Sequence, residues 1–116
     1  MNKIILKLGG SVITMKDEKI PSVNEENLIN AAKQIGKFYR NNSGAQLVIV
    51  HGAGSYGHQI ALKTNIHNGI KTKKRLLDFA QTQRLQNQLN LIVTEKLIEN
   101  KIPAMPIQAS ASSIWR

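Results

Sequence analysis

QLVIVHGAGSYGH, residues 46–58, decides the fold: an apolar run breaks off into a loop punctuated by Gly52, Gly54 and Gly57. Residues 46–50 are continuously apolar after Gln46 rather than alternating, the pattern of a strand covered on both faces. The glycines lead into an amphipathic stretch, QIALKTN. The N-terminus has the same order of parts, since KIILKL, residues 3–8, stops at Gly9, Gly10 and Ser11.

Working outward, the linking segments read as helices. Ser22 and Glu25 form an S-x-x-E capping box behind Pro21. Leu28, Ala31, Ala32, Ile35, Phe38 and Tyr39 then recur at helical spacing as far as the turn formers Asn41, Asn42 and Gly44. A long helical pattern runs from Lys74 to Asn100, with Leu85, Leu89, Ile92, Val93 and Leu97 on one stripe. Pro103 sets off residues 104–108 as a third strand. Strands separated by helices argue for βαβ units, a parallel sheet and helices on both of its faces. The expected fold is α/β, a three-layer α/β/α sandwich on a mostly parallel sheet. SASSIWR follows the third strand with no closing element, so the reading expects a fold truncated after about three strands.

Composition narrows the function. A chain of 116 residues is one domain at most, and 41% hydrophobic with 20% charged residues is ordinary for a globular protein. The longest apolar stretches, residues 4–8 and 47–50, fall far short of the ~20 residues that span a bilayer. The N-terminus lacks the length and cleavage region of a secretory signal, so no membrane partner and a cytoplasmic location are expected. There is no cysteine, hence neither a disulfide framework nor a thiolate metal site. A net charge of +9 suits nucleic acid, small phosphorylated substrates, or the basic part of a larger balanced protein. Lys71, Lys73, Lys74 and Arg75 form the densest run. It is too short and too poor in interleaved aromatics for a nucleic-acid platform, and reads as a solvated face.

The chemistry sits at the strand ends. Glycine lets backbone N–H groups turn toward an anion, and a following helix adds its dipole. Two such loops suggest two phosphates facing each other across one crevice, as in-line phosphoryl transfer requires. No G-x-x-x-x-G-K-[ST] loop occurs. Lys7, inside the first strand, either snorkels from the strand end or aims its cation at the transferring phosphoryl group. Residues 52–57 match G-x-G-x-x-G, which raises a dinucleotide-binding oxidoreductase. That reading expects an acid ending the next strand, whereas Asp78 opens the long helix, and an earlier strand already carries its own Gly-Gly loop. His58, in the first turn after the glycines, is placed to donate to a phosphate oxygen. His51 reads as structural, and His67 has no motif around it. No metal-ligand cluster is found. Gln81, Gln83, Gln86, Asn87, Gln88 and Asn90 read as a solvated or subunit-facing surface.

KLGGS followed by ITMK, then VIVHGAGSYGH, then FAQTQ and LN on a long helix, resembles the isopentenyl phosphate kinases of the wider amino acid kinase group. KLGGS marks the wider group. The GAGS-aromatic-GH stretch is narrower and is shared with the fosfomycin kinases, the nearest rival. The resemblance implies transfer of the ATP γ-phosphoryl group to isopentenyl phosphate, with magnesium accompanying the ATP. By motif position, Lys7, Gly9, Gly10 and Ser11 match the ATP phosphate-binding segment, and Gly54 a nucleotide-side contact. Lys16 matches a lysine that stabilises the transition state. Ala53 and His58 match positions that hold the substrate phosphate, alongside the Gly52 and Gly57 amides. It further implies that residues 1–116 are the N-terminal, phosphate-binding part, that a C-terminal nucleotide-binding half is absent, and that this part alone is inactive. A non-catalytic remnant is the other class this leaves open. The fold is often dimeric, which makes a homodimer compatible.

Overall fold

The computed structural model describes residues 2–16, 20–57 and 73–108. Strands β1 (Lys3–Leu8) and β2 (Gln46–His51) pair in parallel. The register sets Lys3 opposite Gln46 and Leu8 opposite His51, so the two strands end level. Both glycine loops therefore leave the same edge of the sheet, the carboxyl edge at which open α/β sheets bind ligands.

Helices with bounds among the described residues are α1 (Gly10–Ile13), α2 (Glu25–Asn41) and α3 (Lys73–Glu99). Helix α1 follows directly on the first strand and its Gly9. The N–H groups of Val12 and Ile13 turn back onto the Gly9 carbonyl at 3.0 and 3.3 Å, which delivers Ile13 into the core with 0% exposure. The cap of α2 differs from expectation. Asn24, not Ser22, is the N-cap, its side chain accepting from the Asn27 N–H at 3.1 Å. Val23 is held in an antiparallel bridge with Thr14, and the Ser22 carbonyl accepts from the Met15 N–H at 2.9 Å. With residues 22 and 23 committed to that bridge, the helix starts at the next side chain able to cap it. Glu25 and Glu26 in the first turn suit its dipole.

The hydrophobic stripes face one another as their spacing requires. Leu28, Ala32 and Ile35 of α2 meet Leu89, Val93 and Leu97 of α3 in a core that includes Ile13, Tyr56 and Ile102. Leu85 and Ile92 pack against its margin, whereas Phe38 stays exposed. Each fully buried leucine or isoleucine here contributes roughly 1.5–3 kcal/mol. Leu6, Leu8, Leu47 and Ile49 present the inner sheet face to this core.

The outer sheet face is open among the described residues. Burial alternates along both strands, and Ile5, Val48 and Val50 stand exposed with Lys3 and Lys7. The apolar run writes two hydrophobic faces into each strand, but among the described residues helices cover one. Residues 104–108, expected as a third strand, join no ladder among the described residues. Side chains of α3 hold this segment instead: Asn90 Nδ2 donates to the Ile107 carbonyl at 3.4 Å, and Gln108 Nε2 donates to Gln83 Oε1 at 3.0 Å.

The end of α3 is set by backbone geometry. Ile102 N–H reaches the Leu97 carbonyl at 3.1 Å and Lys101 N–H the Ile98 carbonyl at 2.9 Å, the paired bonds of a Schellman motif. Its hydrophobic contact is the buried pair Leu97 and Ile102. The left-handed position falls on Lys101, at φ 65°, where glycine would be unstrained. Gly36 lets this end lie across α2, since a Cβ there would stand 3.1 Å from the Asn100 carbonyl oxygen. Arg40 donates to the same oxygen at 2.9 Å.

Two stability outcomes are expected from chemical denaturation. Lys101→Gly should stabilise by roughly 0.5–1 kcal/mol by removing the left-handed strain. Leu89→Ala should cost about 2–5 kcal/mol, while Leu77→Ala, at a side chain 72% exposed, should stay within about 0.5 kcal/mol.

Candidate active site

At the level strand ends the two glycine loops interlock backbone to backbone. A Cβ on Gly10 would collide with the Gly54 amide nitrogen, and one on Gly54 would collide with the Gly10 carbonyl oxygen and Thr14 Oγ1. A Cβ on Gly52 would stand 3.0 Å from the Gly10 nitrogen. Gly54 also lies at φ 52°, a conformation L side chains rarely adopt. The approach is thus closed to any larger residue, and it leaves loop backbone, not side chains, at the floor of the crevice.

Thr14 joins the two loops. Its hydroxyl donates to the Gly10 carbonyl at 2.6 Å and accepts from the Ser55 N–H at 3.1 Å, from a position only 4% exposed. After Gly54 the chain turns into helix, with Tyr56 N–H on the Ala53 carbonyl at 2.9 Å and Gly57 N–H on the Gly54 carbonyl at 3.2 Å. Gly57 is buried because Ala53 and Gln86 fill the space beside it, its Cβ position being 3.0 Å from Ala53 Cβ and 3.2 Å from Gln86 Nε2. Ser55 Oγ is buried and has no hydrogen-bond partner among the described residues.

The sequence-derived residues separate by role. Gly10, Gly52 and Gly54 are brought into direct backbone contact, with Gly9 capping α1 and Ser11 exposed in it. Lys7 stands exposed on the outer sheet face opposite Val50. Lys16 is exposed two residues beyond Thr14. Among the described residues, the ion pairs join Lys96 to Glu25 at 3.4 Å and to Glu99 at 3.8 Å, leaving both candidate lysines outside them. His58, His67 and the QIALKTN stretch lie outside the described residues.

Sequence reasoning gave no role to Thr14 or Ser55, although both lie inside quoted motifs, ITMK and GAGSYGH, because their partners are distant along the chain. It also placed the α3 amides in solvent or at a subunit face. Asn90 instead holds the strand end: its Oδ1 is 2.9 Å from His51 Nε2, while His51 Nδ1 is 3.0 Å from the Gly52 carbonyl. His51, expected to be structural, thus links the end of β2 to α3 and to the second loop. Asp78, the acid weighed for a dinucleotide site, lies within α3, its carbonyl accepting from Thr82 Oγ1 at 3.0 Å. No group of three or more potential metal-binding side chains occurs among the described residues. No helix of the described residues is long and apolar enough to cross a membrane.

Tyr56 is buried in the core at the second loop, and its hydroxyl pKa is raised above 10.0, first by burial and then by the charge of Glu25. Both effects penalise the tyrosinate.

Both glycine loops thus lie closed onto each other at the edge where open α/β sheets bind ligands. Residues 2–116 match the amino acid kinase family, and the chain belongs to that family. It is 44% identical over 112 residues to an isopentenyl phosphate kinase of Methanothermobacter thermautotrophicus, covering 93% of this chain and 41% of the relative. It is 36% identical over 118 residues to that of Methanocaldococcus jannaschii, covering 96% of this chain and 45% of the relative. An Arabidopsis thaliana isopentenyl phosphate kinase is 28% identical over 137 residues. Among solved structures, one described as "X-ray structures of isopentenyl phosphate kinase" superposes with a TM-score of 0.83 at 43% identity. That match covers 95% of this chain and 45% of the other. The chain therefore spans less than half the length of these relatives.

Two measurements check this geometry. Gly54→Ala should cost more than ~2 kcal/mol in denaturant titration, since it adds a collision to left-handed strain. Gly44→Ala, at φ 86° with nothing within 4 Å, should show the strain alone, about 1–2 kcal/mol. In alkaline titration, the fold binds the Tyr56 proton more tightly than the unfolded chain does. That stability is intact below pH 10 and is lost as pH climbs through the raised folded value. Tyr56→Phe should blunt the alkaline loss seen by circular dichroism.

Proposed function

We propose that this chain is the N-terminal, phosphate-binding part of an ATP-dependent isopentenyl phosphate kinase, which makes isopentenyl diphosphate. The observation that carries the reading is the interlock of Gly10, Gly52 and Gly54 at the carboxyl edge of two parallel strands. The 44% identity to a relative of that name supports the choice of acceptor.

The loop at Gly9, Gly10 and Ser11 is the donor side, holding the ATP phosphates through backbone amides, with Gly54 as a further nucleotide-side contact. The loop of Gly52, Ala53 and Gly57, with His58, is the acceptor side. Lys7 and Lys16 neutralise the charge that spreads over the transferred phosphoryl oxygens. Magnesium enters with ATP as part of the substrate complex. The acceptor's phosphate oxygen is already an ionised nucleophile, so positioning and charge carry the catalysis and no general base is called for. A phosphate oxygen at the second loop would also give Ser55 Oγ, buried without a partner among the described residues, an acceptor for its proton. The reactants are small molecules, and the proposed setting is the cytoplasm.

A chimera tests the reading: residues 2–108 of this chain replace the matching segment of the Methanothermobacter relative, with the rest of that relative's chain retained. It should phosphorylate isopentenyl phosphate in preference to fosfomycin. Lys16→Ala should lower kcat by about 10²–10³-fold, and His58→Ala should raise KM for the acceptor. A folded chimera that phosphorylates fosfomycin but not isopentenyl phosphate would overturn the assignment.

A further inference from the structure

We propose that Thr14 is a positioning residue whose hydroxyl sets the separation of the two phosphate loops; the functional half of this inference rests on the reading above. Thr14 lies in neither glycine loop, yet it touches both. Toward the first loop its Oγ1 donates to the Gly10 carbonyl at 2.6 Å, and its own N–H reaches the same oxygen at 3.1 Å. Toward the second, Oγ1 accepts from the Ser55 N–H at 3.1 Å. A hydroxyl has one proton to give and lone pairs to receive with, so this one atom is used in both directions at once. The lone hydroxyl proton is committed to Gly10, which leaves Oγ1 only as an acceptor for the second loop.

Three further features hold Thr14 in that place. The β-branched side chain has few rotamers, and at 4% exposure water does not compete for its bonds. Its backbone is pinned by the bridge to Val23 and by the Met15 N–H to Ser22 carbonyl bond of 2.9 Å. Asn24 N–H on the Ile13 carbonyl at 2.8 Å and Asn27 Nδ2 on the Val12 carbonyl at 2.8 Å anchor the same segment to the start of α2. Finally, the site a Cβ would take on Gly54 is filled by Thr14 Oγ1, so the hydroxyl can sit there only beside a glycine. Strand pairing sets the spacing of ~4.8 Å and the level strand ends, but leaves the path of the two loops beyond those ends without control. Thr14 supplies that control, and through Met15 it sets where Lys16 leaves the segment. In-line transfer depends on this alignment, because a small misplacement of donor against acceptor costs rate steeply.

The test uses ¹⁵N-labelled chain of all 116 residues and the variants Thr14→Val, which keeps the shape without the hydroxyl, and Thr14→Ser, which keeps the hydroxyl. Hydrogen exchange of the Ser55 amide should speed up about tenfold or more in Thr14→Val and return near the original value in Thr14→Ser. On titration with Mg–ATP, shifts at Gly9, Gly10 and Ser11 should carry over to Ser55 in the original chain and in Thr14→Ser. In Thr14→Val they should stop at the first loop. Carry-over that persists in Thr14→Val, or a Thr14→Ser chain that behaves like Thr14→Val, would overturn the proposal. If Mg–ATP shifts no first-loop resonance in the original chain, the donor-site reading fails. The Ser55 exchange rates then decide by themselves whether the threonine latches the loops. Should Thr14→Val unfold, Thr14→Ala together with Thr14→Ser provides the same comparison.

Discussion

The contact between the Gly10 and Gly54 backbones governs the rest of the site. Each glycine occupies space that a Cβ would need, and Gly54 does so at φ 52°. The contact is available only because β1 and β2 end level, Leu8 opposite His51. A shift of the register by one residue would invert which side chains face the core and would also separate the loops. Correct burial of Leu6, Leu8, Leu47 and Ile49 and correct assembly of the crevice are consequently one requirement.

The core serves that requirement in a directed way. Ile13, fully buried at the end of α1, draws the first loop down onto α2, while Tyr56 draws the second loop into the same cluster. Each loop is therefore anchored on its far side by an apolar residue and on its near side by Thr14. His51 and Asn90 tie the end of β2 to α3, and the Schellman ending of α3 returns the chain to the core at Ile102. Exposed ion pairs such as Lys96 with Glu25 contribute little by comparison, at about 0–1 kcal/mol. The two loops are thus held by packing and short backbone bonds rather than by surface charge.

The outer sheet face has the opposite character. Ile5, Val48 and Val50 are apolar and exposed, although their sequence context is that of strands covered on both sides. Relatives of this chain are more than twice its length, and the uncovered face lies on the part of the fold they share with it.

From sequence alone, the strands, the long helices with their buried stripes, and the glycine loops were legible, because hydrophobic periodicity and backbone freedom are local properties. Leu28, Ala32 and Ile35, and Leu89, Val93 and Leu97, stood at helical spacing as two stripes, and the structure joins them in one core. Resemblance in KLGGS and GAGSYGH pointed to the family whose model residues 2–116 match. What local pattern could not show was anything set by a partner distant along the chain. The cap moved from Ser22 to Asn24 because Thr14 bridges Val23, and residues 104–108 join no ladder among the described residues, where side chains of α3 hold them. The amides of α3 turned partly inward because the end of β2 offers them His51. Thr14 is the clearest case: a threonine in a loop has no periodicity to betray it, and its role exists only once two loops some forty residues apart are folded against the same hydroxyl.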